Sequence, residues 1–498
     1  MARAEKTDSK RAKSPSRSFF KSAPAHIMAP RLMVGLSTLA LVVLGLVMVY
    51  SSSSITAYVE QGDSTGEAIK QCVFVIVGLI LAVLAILFGK QEILRGVGGQ
   101  IFWAVCVVLL LLTAVLGTVG LGAKRWLIVG PVSIQISEFA KIAFVLMAAR
   151  IAQDYREGAL DLFSAFKQAV IYIVLPLGFL FFTQSDLGTT LICCVGLVVV
   201  ITLSGVPGRM IAGIFAVGIV LVLLSILISS YRSDRLFNFL DPWADEQGTG
   251  YQLIHSYKAL AAGGLFGVGI GNSYEKLQYL PEAETDFIFA IIGEELGLIG
   301  ALLVICAFLI FLRGGFMIAS QSKSMFSGFV AAGLTTMIVF QAFLNILCVV
   351  GLFPTTGKPL PFISSGGSSM ISSLLLVGII LAISFDSHNE DEYRHRRESL
   401  HVVSTYSQPQ RQGSTVHDTA PRLSRTAHPY RGSALQNSFR VIGGSGIRSS
   451  EKHENALYNN SAYESSFNSS YRNSAYGGLP VSPSAYAAES RFHRVSRR

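Results

Sequence analysis

The chain has 498 residues and a formal net charge of +9, and 51% of it is hydrophobic whereas only 14% is charged. Soluble domains carry about a quarter charged residues, so this composition, with a mean hydropathy of +0.51, excludes an ordinary soluble protein and indicates a polytopic membrane protein. The basic excess suits anionic lipid or partner proteins at a membrane surface, and nucleic-acid binding is not expected.

The two ends of the chain differ in composition from the middle. The first thirty residues are basic and rich in Ser but hold no apolar run. They are therefore not a signal peptide, and the first apolar span should remain as an uncleaved anchor. Beyond Asp386 the chain is rich in Ser, Asn, Tyr, Arg and Gly and cannot bury a core. We predict a disordered basic cytoplasmic segment at 1–30, a membrane domain at 31–385 and a disordered cytoplasmic tail at 386–498.

Ten segments of the middle region approach the roughly 20 apolar residues that a membrane-spanning helix needs. The predicted fold is therefore an all-α polytopic membrane protein. The fourth span is the weakest because Glu138, Lys141 and Arg150 interrupt it, and nine or eleven spans also fit the pattern. Glu138 and Lys141 lie on one helix face, so we expect a structural polar pair that faces a polar interior. The predicted spans are roughly 32–51, 71–89, 101–120, 137–152, 168–183, 189–205, 210–229, 287–312, 326–350 and 368–385.

The distribution of Lys and Arg predicts the orientation of the spans. These residues are concentrated in the N-terminal segment and in the loops that follow even-numbered spans. The positive-inside rule then places both termini in the cytoplasm. The long loop at 230–286, between spans seven and eight, would face the outside. All six Cys fall inside apolar spans, so we expect neither a disulfide framework nor a Cys-based metal site.

Two short outer loops carry candidate functional side chains. Lys124, Arg125 and Trp126 lie between spans three and four. They are either an interfacial anchor or a site where the cations hold an anionic head group and the indole packs on sugar or lipid. Asp186 lies between spans five and six, where we expect it to cap the sixth span.

Two longer outer loops follow. The loop between spans seven and eight carries Arg232 and Arg235, an amphipathic segment at 252–262 that we expect to form a short interfacial helix, and five Gly between 263 and 271. The glycines lack the strand–turn–helix setting that a nucleotide-binding loop needs. We expect them to let the chain turn back toward Lys276 and the acids that follow. In the loop before span ten, three prolines exclude a continuous helix. The Gly-Gly-Ser-Ser at its end is either an anion site at a helix N-terminus, suited to pyrophosphate, or only a re-entrant turn.

Three carboxylates, those of Glu282, Glu284 and Asp286, lie within five residues of one another just before the eighth span. Acids so close to hydrocarbon are costly unless a partner or a function holds them there. Asp286 could cap the helix, and it could also line an outward cavity for a lipid-anchored, negatively charged substrate. The cations expected around that cavity are Arg125, Arg232, Arg235, Lys258, Lys276 and Lys358.

Several of these motifs occur together in one family. The run Tyr279-Leu-Pro-Glu-Ala-Glu-Thr-Asp-Phe-Ile-Phe-Ala-Ile-Ile-Gly-Glu-Glu-Leu-Gly297 resembles the signature of the SEDS proteins (FtsW, RodA and SpoVE). So do Lys-Arg-Trp126, Ser-Glu-Phe-Ala-Lys141, Arg232-x-x-Arg235 and Pro-Leu-Pro-Phe-Ile-Ser364, and the resemblance covers about residues 30–386. It implies polymerisation of lipid II into glycan strands with a class B penicillin-binding protein and other division proteins. The long tail favours the FtsW-like division members over the RodA-like elongation members.

The resemblance also implies roles for individual residues. Asp286 matches the essential acid of the family and Glu282 its Pro-Glu acid, so both are candidate catalytic residues. The candidate substrate-binding residues are Lys124, Arg125, Trp126, Arg232, Arg235, Gln252, Lys276, Lys358 and Ser368. Four positions depart from the family pattern: Glu284 where His is frequent, His255 where Gln is common, Ser185 in place of Pro and Ser365 in place of Tyr.

The expected chemistry is inverting glycosyl transfer in the cytoplasmic membrane. Asp286 would act as general base on the acceptor hydroxyl, with a pKa raised by burial and neighbouring acids, and a polyprenyl pyrophosphate would leave. No metal motif is present, although a divalent cation (Mg or Mn) could add charge stabilisation. Helical spacing separates Glu294 and Glu295 from Asp286, so we expect them to be structural or to line the cavity floor. The alternatives are a lipid II flippase and a non-catalytic scaffold.

Overall fold

A computed structural model describes residues 25–120, 123–129, 132–228 and 230–398. Most of the terminal segments predicted at 1–30 and 386–498, namely residues 1–24 and 399–498, lies outside these described residues. A π-helical turn (Val170–Val174) joins α6 to α7, and the three strands are β1 (Thr118–Gly120), β2 (Ala123–Val129) and β3 (Val132–Ile134). The helices are α1 (Ala25–Gln61), α2 (Gly66–Phe88), α3 (Gln91–Arg95), α4 (Val97–Leu116), α5 (Ile136–Arg156), α6 (Leu162–Ala169), α7 (Leu175–Thr183), α8 (Leu187–Leu203), α9 (Gly208–Ile228), α10 (Ser230–Leu240), α11 (Tyr251–Gly263), α12 (Ile288–Gln321), α13 (Met325–Val349) and α14 (Gly367–Glu398).

Each of the ten predicted spans coincides with a helix, counting α6, the π-helical turn and α7 as one. Within the described residues, seven helices are long and apolar enough to cross a membrane, and two shorter apolar helices correspond to α8 and α9. The prediction of an all-α polytopic membrane protein is confirmed. The weak fourth span is α5, whose residues are mostly buried. Its polar groups are tolerated because they face protein and not lipid.

The two ends of the membrane domain extend beyond their predicted bounds. Helix α1 begins at Ala25, and α14 continues to Glu398, so about its last three turns lie in the region predicted to be a disordered tail. That part of the chain contains several Glu and Arg residues, which favour helix once a preceding helix has nucleated it.

A small antiparallel sheet, which the sequence did not predict, lies between α4 and α5. Strand β2 pairs with both β1 and β3. Its sequence carries Trp126, Ile128 and Val129, residue types that favour strands. The Lys-Arg-Trp motif is therefore part of a strand and not of an irregular loop.

The glycine-rich segment after α11 packs against a break in α12. At Gly297 the helix adopts φ +68° and ψ −168°, which interrupts its internal hydrogen bonds. The segment replaces them: Val268 N donates to Glu294 O (3.0 Å) and Leu298 N donates to Gly264 O (3.0 Å). Gly267 has φ +80°, and a Cβ there would overlap the carbonyl oxygen of Glu295. The predicted turn is confirmed, and the glycines permit close backbone contact at the break.

Candidate active site

The segment that carries Asp286 is fixed by the backbone of its neighbours. Three successive carbonyl oxygens, from Glu284 to Asp286, accept hydrogen bonds from α13 and from the loop before α14. Since the backbone on both sides is buried or bonded, the carboxylate is presented from a rigid base. The three bonds are Ser365 N to Glu284 O (2.8 Å), Ser364 Oγ to Thr285 O (2.6 Å) and Asn345 Nδ2 to Asp286 O (2.7 Å).

The expectation that Asp286 caps the eighth span is wrong. Helix α12 begins at Ile288, its N-cap position is Phe287, and no side chain caps it. The reason is a tight turn at Glu282 (φ +56°), whose carbonyl oxygen accepts from Thr285 N (3.2 Å) and Phe287 N (3.1 Å). This turn places Asp286 before the cap position, and its carboxylate lies next to the loop before α14.

A guanidinium lies close to the Asp286 carboxylate. A Cβ on Gly357 would lie 3.5 Å from Asp286 Oδ2 and 3.7 Å from Arg235 Nη1. Both groups therefore face the same glycine, which has φ +67° and carries no side chain that could come between them. Arg235 is held in place by a 2.7 Å hydrogen bond from Nη1 to the carbonyl oxygen of Thr355.

The charge state of Asp286 follows from these neighbours. The carboxyl is half-buried. Burial and, to a smaller extent, the negative charge of Glu282 raise the pKa of Asp286 to about 6, against the opposing positive charges of Lys358 and Arg235. A carboxylate with a pKa near 6 is ionised at neutral pH and still basic enough to accept a proton.

Lys358 lies in a buried ion pair with Asp186. Its Nζ is 2.9 Å from Asp186 Oδ2. Asp186 also caps α8 through Thr189 N (3.0 Å), which confirms the predicted cap. Burial would raise the pKa of Asp186, but the charges of Lys358 and Arg125 outweigh burial and hold it at about 2. Arg125 Nε in turn donates to Gln184 O (2.8 Å). The structure thus brings side chains from three of the predicted outer loops together.

A second buried ion pair is linked to the loop before α14, which carries Lys358. Lys141 Nζ lies 2.8 Å from Glu138 Oε2, so the predicted pair forms, and both side chains are buried. Lys141 also donates to Gln341 Oε1 (2.7 Å), and Gln341 Nε2 donates to Pro359 O (3.0 Å). A continuous polar chain therefore runs from α5 through α13 to the residue after Lys358.

The sequence of this chain is similar to those of known proteins. The sequence profile of the FtsW/RodA/SpoVE family of cell cycle proteins matches residues 31–389. The chain belongs to this family. It is 36% identical over 358 residues to the probable peptidoglycan glycosyltransferase FtsW of Taylorella equigenitalis, covering 69% of this chain and 95% of that one. It is also 36% identical over 358 residues to stage V sporulation protein E of Bacillus subtilis, covering 72% and 97%.

Solved structures agree with the family assignment. A chain described under structural coordination of polymerisation and crosslinking by a peptidoglycan synthase complex superposes with a TM-score of 0.58 and 28% identity, covering 71% of this chain and 97% of that one. A variant of the rod-shape-determining protein RodA of Thermus thermophilus superposes with a TM-score of 0.53 and 25% identity, covering 71% and 97%. The fold and the family expected from the motifs are therefore confirmed.

In this family member, Lys276 does not lie beside Asp286. Its Nζ is buried 2.8 Å from Glu295 Oε1 and 3.0 Å from Ser51 Oγ. The adjacent Glu294 accepts from Tyr274 N (2.8 Å) and contacts Ser273 Oγ. Both glutamates therefore join the outer loop to α12, as the structural interpretation expected. Sequence reasoning missed Ser51, although the run of four Ser that begins at the end of the first predicted span was a signal.

Ser368 links the start of α14 to strand β3 of the small sheet and to the residue before α5. Its Oγ accepts from Gln135 N (2.9 Å) and donates to Ser133 O (3.4 Å). The nearby N–H of Ser365 is bonded to Glu284 O (2.8 Å), and that of Gly366 to Gln71 Oε1 (3.4 Å). Protein groups thus already bond to two of the backbone donors before α14, and the anion-binding role of Ser368 stays a prediction.

The other candidates differ in how exposed their side chains are. Glu282 is exposed and accepts from Thr285 Oγ1 (2.7 Å). Trp126 and Gln252 are half-buried, and Lys258 is exposed on α11. The side chains of Lys124 and Arg232 lie outside the described part of the structure. Within that part there is no group of three or more His, Cys, Asp or Glu that could hold a metal ion.

Proposed function

We propose that this protein is a peptidoglycan glycosyltransferase that polymerises lipid II on the outer face of the cytoplasmic membrane, with a role in cell division. The observation that carries the proposal is the half-buried Asp286 carboxylate, with a pKa of about 6, which lies beside Gly357 together with the Arg235 guanidinium. The printed names of the FtsW relatives support the same activity. Lys and Arg placement supports cytoplasmic termini.

The reaction requires a base, a nucleophile and a leaving group. Asp286 accepts the proton of the acceptor's sugar hydroxyl, and that oxygen attacks the anomeric carbon of the donor. The bond from the anomeric carbon to the polyprenyl pyrophosphate breaks as the glycosidic bond forms, which inverts the anomeric configuration. The rigid backbone around Asp286 holds the base in position, so little reorganisation accompanies the proton transfer.

Arg235 is best placed to stabilise the leaving pyrophosphate. Its guanidinium faces the same glycine, Gly357, as the Asp286 carboxylate, and a 2.7 Å hydrogen bond from Nη1 to the carbonyl oxygen of Thr355 holds it there. A guanidinium suits the bidentate recognition of phosphate. A divalent cation such as Mg²⁺ fits this site only if Glu282 and the substrate's phosphates hold it together, because Mg²⁺ commonly binds one or two carboxylates plus phosphates. It would supply further stabilisation of the phosphate charge.

A partner and a division role complete the proposal. One structural neighbour comes from a peptidoglycan synthase complex, and this supports assembly of the present chain with a class B penicillin-binding protein. FtsW names among the relatives and the long tail after α14 favour division over elongation. Other division proteins and anionic membrane lipid are the further partners that we propose.

Reconstitution in lipid vesicles separates this function from the alternatives. The purified protein is incorporated with lipid II, alone and with a class B penicillin-binding protein, and polymer and translocated monomer are measured in the same sample. We expect glycan polymer. Translocated monomer without polymer would indicate a flippase, and neither product in the presence of the partner would indicate a scaffold. Repeating the assay with a chelator tests for a divalent cation.

A further inference from the structure

Four aromatic rings form a ladder on the outer loop, and none of them takes part in the proposed chemistry. Tyr251 and His255 come from α11, and Tyr279 and Tyr274 come from the segment that leads to Asp286. The ring centroids are 4.2 Å apart for Tyr251 and His255, 6.3 Å for His255 and Tyr279, and 4.8 Å for Tyr274 and Tyr279. The last two pairs are stacked, with interplanar angles of 12° and 16°.

The ladder rests on a rigid, buried base. His255 Nδ1 lies 2.6 Å from Glu275 Oε2, and both side chains are buried. The backbone N–H of Tyr274 donates to the buried Glu294 (2.8 Å), and Leu280 N donates to Glu275 O (2.8 Å). These contacts fix the backbone on both sides of the two tyrosines, so their rings need little ordering when a ligand binds.

The outer end of the ladder is open. Tyr274 is 59% exposed and Tyr279 is 39% exposed, whereas aromatic rings that serve a hydrophobic core are covered. Their hydroxyl groups lie 3.1 Å apart, and this hydrogen bond raises the pKa of Tyr274, so the ring remains a neutral phenol at physiological pH. The exposed surface therefore combines an electron-rich aromatic face with two adjacent hydroxyl groups.

Charge and chemistry at this surface match an uncharged sugar. The ionisable groups beneath it are paired, His255 with Glu275 and Lys276 with Glu295, so the exposed face of the ladder itself consists of neutral phenol rings. A pyranose ring has one face of C–H bonds, which packs on an aromatic ring, and a rim of hydroxyls, which bond to tyrosine hydroxyls.

We propose that Tyr274 and Tyr279 form a stacking subsite for the sugars of the glycan strand, distinct from the site of bond formation. This proposal rests on the proposed function. Asp286 follows Tyr279 by seven positions, so the two are at most about 25 Å apart along an extended chain. The turn closed by Phe287 N and Glu282 O (3.1 Å) shortens this distance. A strand of a few sugars that ends at Asp286 can reach the subsite.

The test measures binding of a lipid-free GlcNAc–MurNAc tetrasaccharide to the full-length protein in nanodiscs. Tyr274→Ala and Tyr279→Ala should each weaken binding by about tenfold, which is the upper range for one aromatic contact. Tyr274→Phe should keep most of the affinity because the ring remains. Leu277→Ala is the matched control, since Leu277 is an exposed apolar residue of the same segment that stands outside the ladder. Thermal unfolding of each variant checks that the fold is intact.

Binding and polymerisation are measured separately, so that failure of this proposal differs from failure of the proposed function. Asp286→Asn should bind the tetrasaccharide like the wild type while forming no polymer, and Tyr274→Ala should form shorter strands. Unchanged tetrasaccharide binding in both alanine variants would overturn the subsite. So would quenching of the fluorescence of these tyrosines by brominated lipid, which would place the rings in the bilayer as an interfacial anchor. An active Asp286→Asn variant would refute the base and leave the binding result standing.

Discussion

Replacing Glu282 by Gln should move the acid limb of the pH–rate profile to lower pH. Asp286 must be ionised to act as base, and its pKa of about 6 sets the limb in the wild type. At pH 5, one unit below that value, about a tenth of the base is ionised, so the rate should be about tenfold below its plateau. The charge of Glu282 is one cause of the raised pKa, and its removal lowers the pKa toward the ordinary value of 3.8.

The assay is single-turnover polymerisation of lipid II between pH 4.5 and 8, so that chemistry and not product release limits the rate. Glu246→Gln is the control, because Glu246 is an exposed carboxylate of the same outer loop and is not one of the groups that shift the pKa of Asp286. Its limb should stay near pH 6. A limb in Glu282→Gln that stays in place or moves to higher pH would refute the electrostatic account of Asp286.

Three further substitutions test other parts of the structure. Arg235→Gln should slow polymerisation and shift its acid limb above pH 6, because the guanidinium lowers the pKa of Asp286; a downward shift would contradict this. Lys276→Met should lower the free energy of unfolding by about 3–5 kcal/mol, because it leaves Glu295 buried without its cation. Thermal unfolding measures this loss, and the double variant with Glu295→Gln should recover most of it. Gly267→Ala should lower the melting temperature, since a Cβ would overlap the backbone of α12, whereas Gly205→Ala, with open space around it, should lower it less.

The apolar runs of the chain predicted a helix at each of the ten positions, because a membrane-spanning helix needs about 20 mostly apolar residues. The pair of Glu138 and Lys141 was also predictable, because residues three apart on a helix must be neighbours. Asp286 was identified because an ionisable group at the edge of the hydrocarbon region is energetically costly and is commonly functional. These predictions depend on local spacing, which a sequence displays directly.

The contacts that could not be predicted join residues far apart in the chain. Lys276 was expected at the substrate, but its partners Ser51 and Glu295 belong to α1 and α12. Local sequence spacing does not predict contacts between such distant elements. The break at Gly297 was equally hidden, because the segment that bonds to it lies some thirty residues earlier. The capping expectation for Asp286 failed because a turn at Glu282 is combined with tertiary hydrogen bonds to the carbonyl oxygens of residues 284–286.

The most direct test of the central claim is the single-turnover rate of lipid II polymerisation by Asp286→Asn, measured at pH 7.5 beside the wild type. Asn has the same shape as Asp but cannot accept the proton, so we expect a rate at least about a hundredfold lower, with unchanged membrane insertion and thermal unfolding. A variant that polymerises lipid II at the wild-type rate would show that Asp286 is not the base.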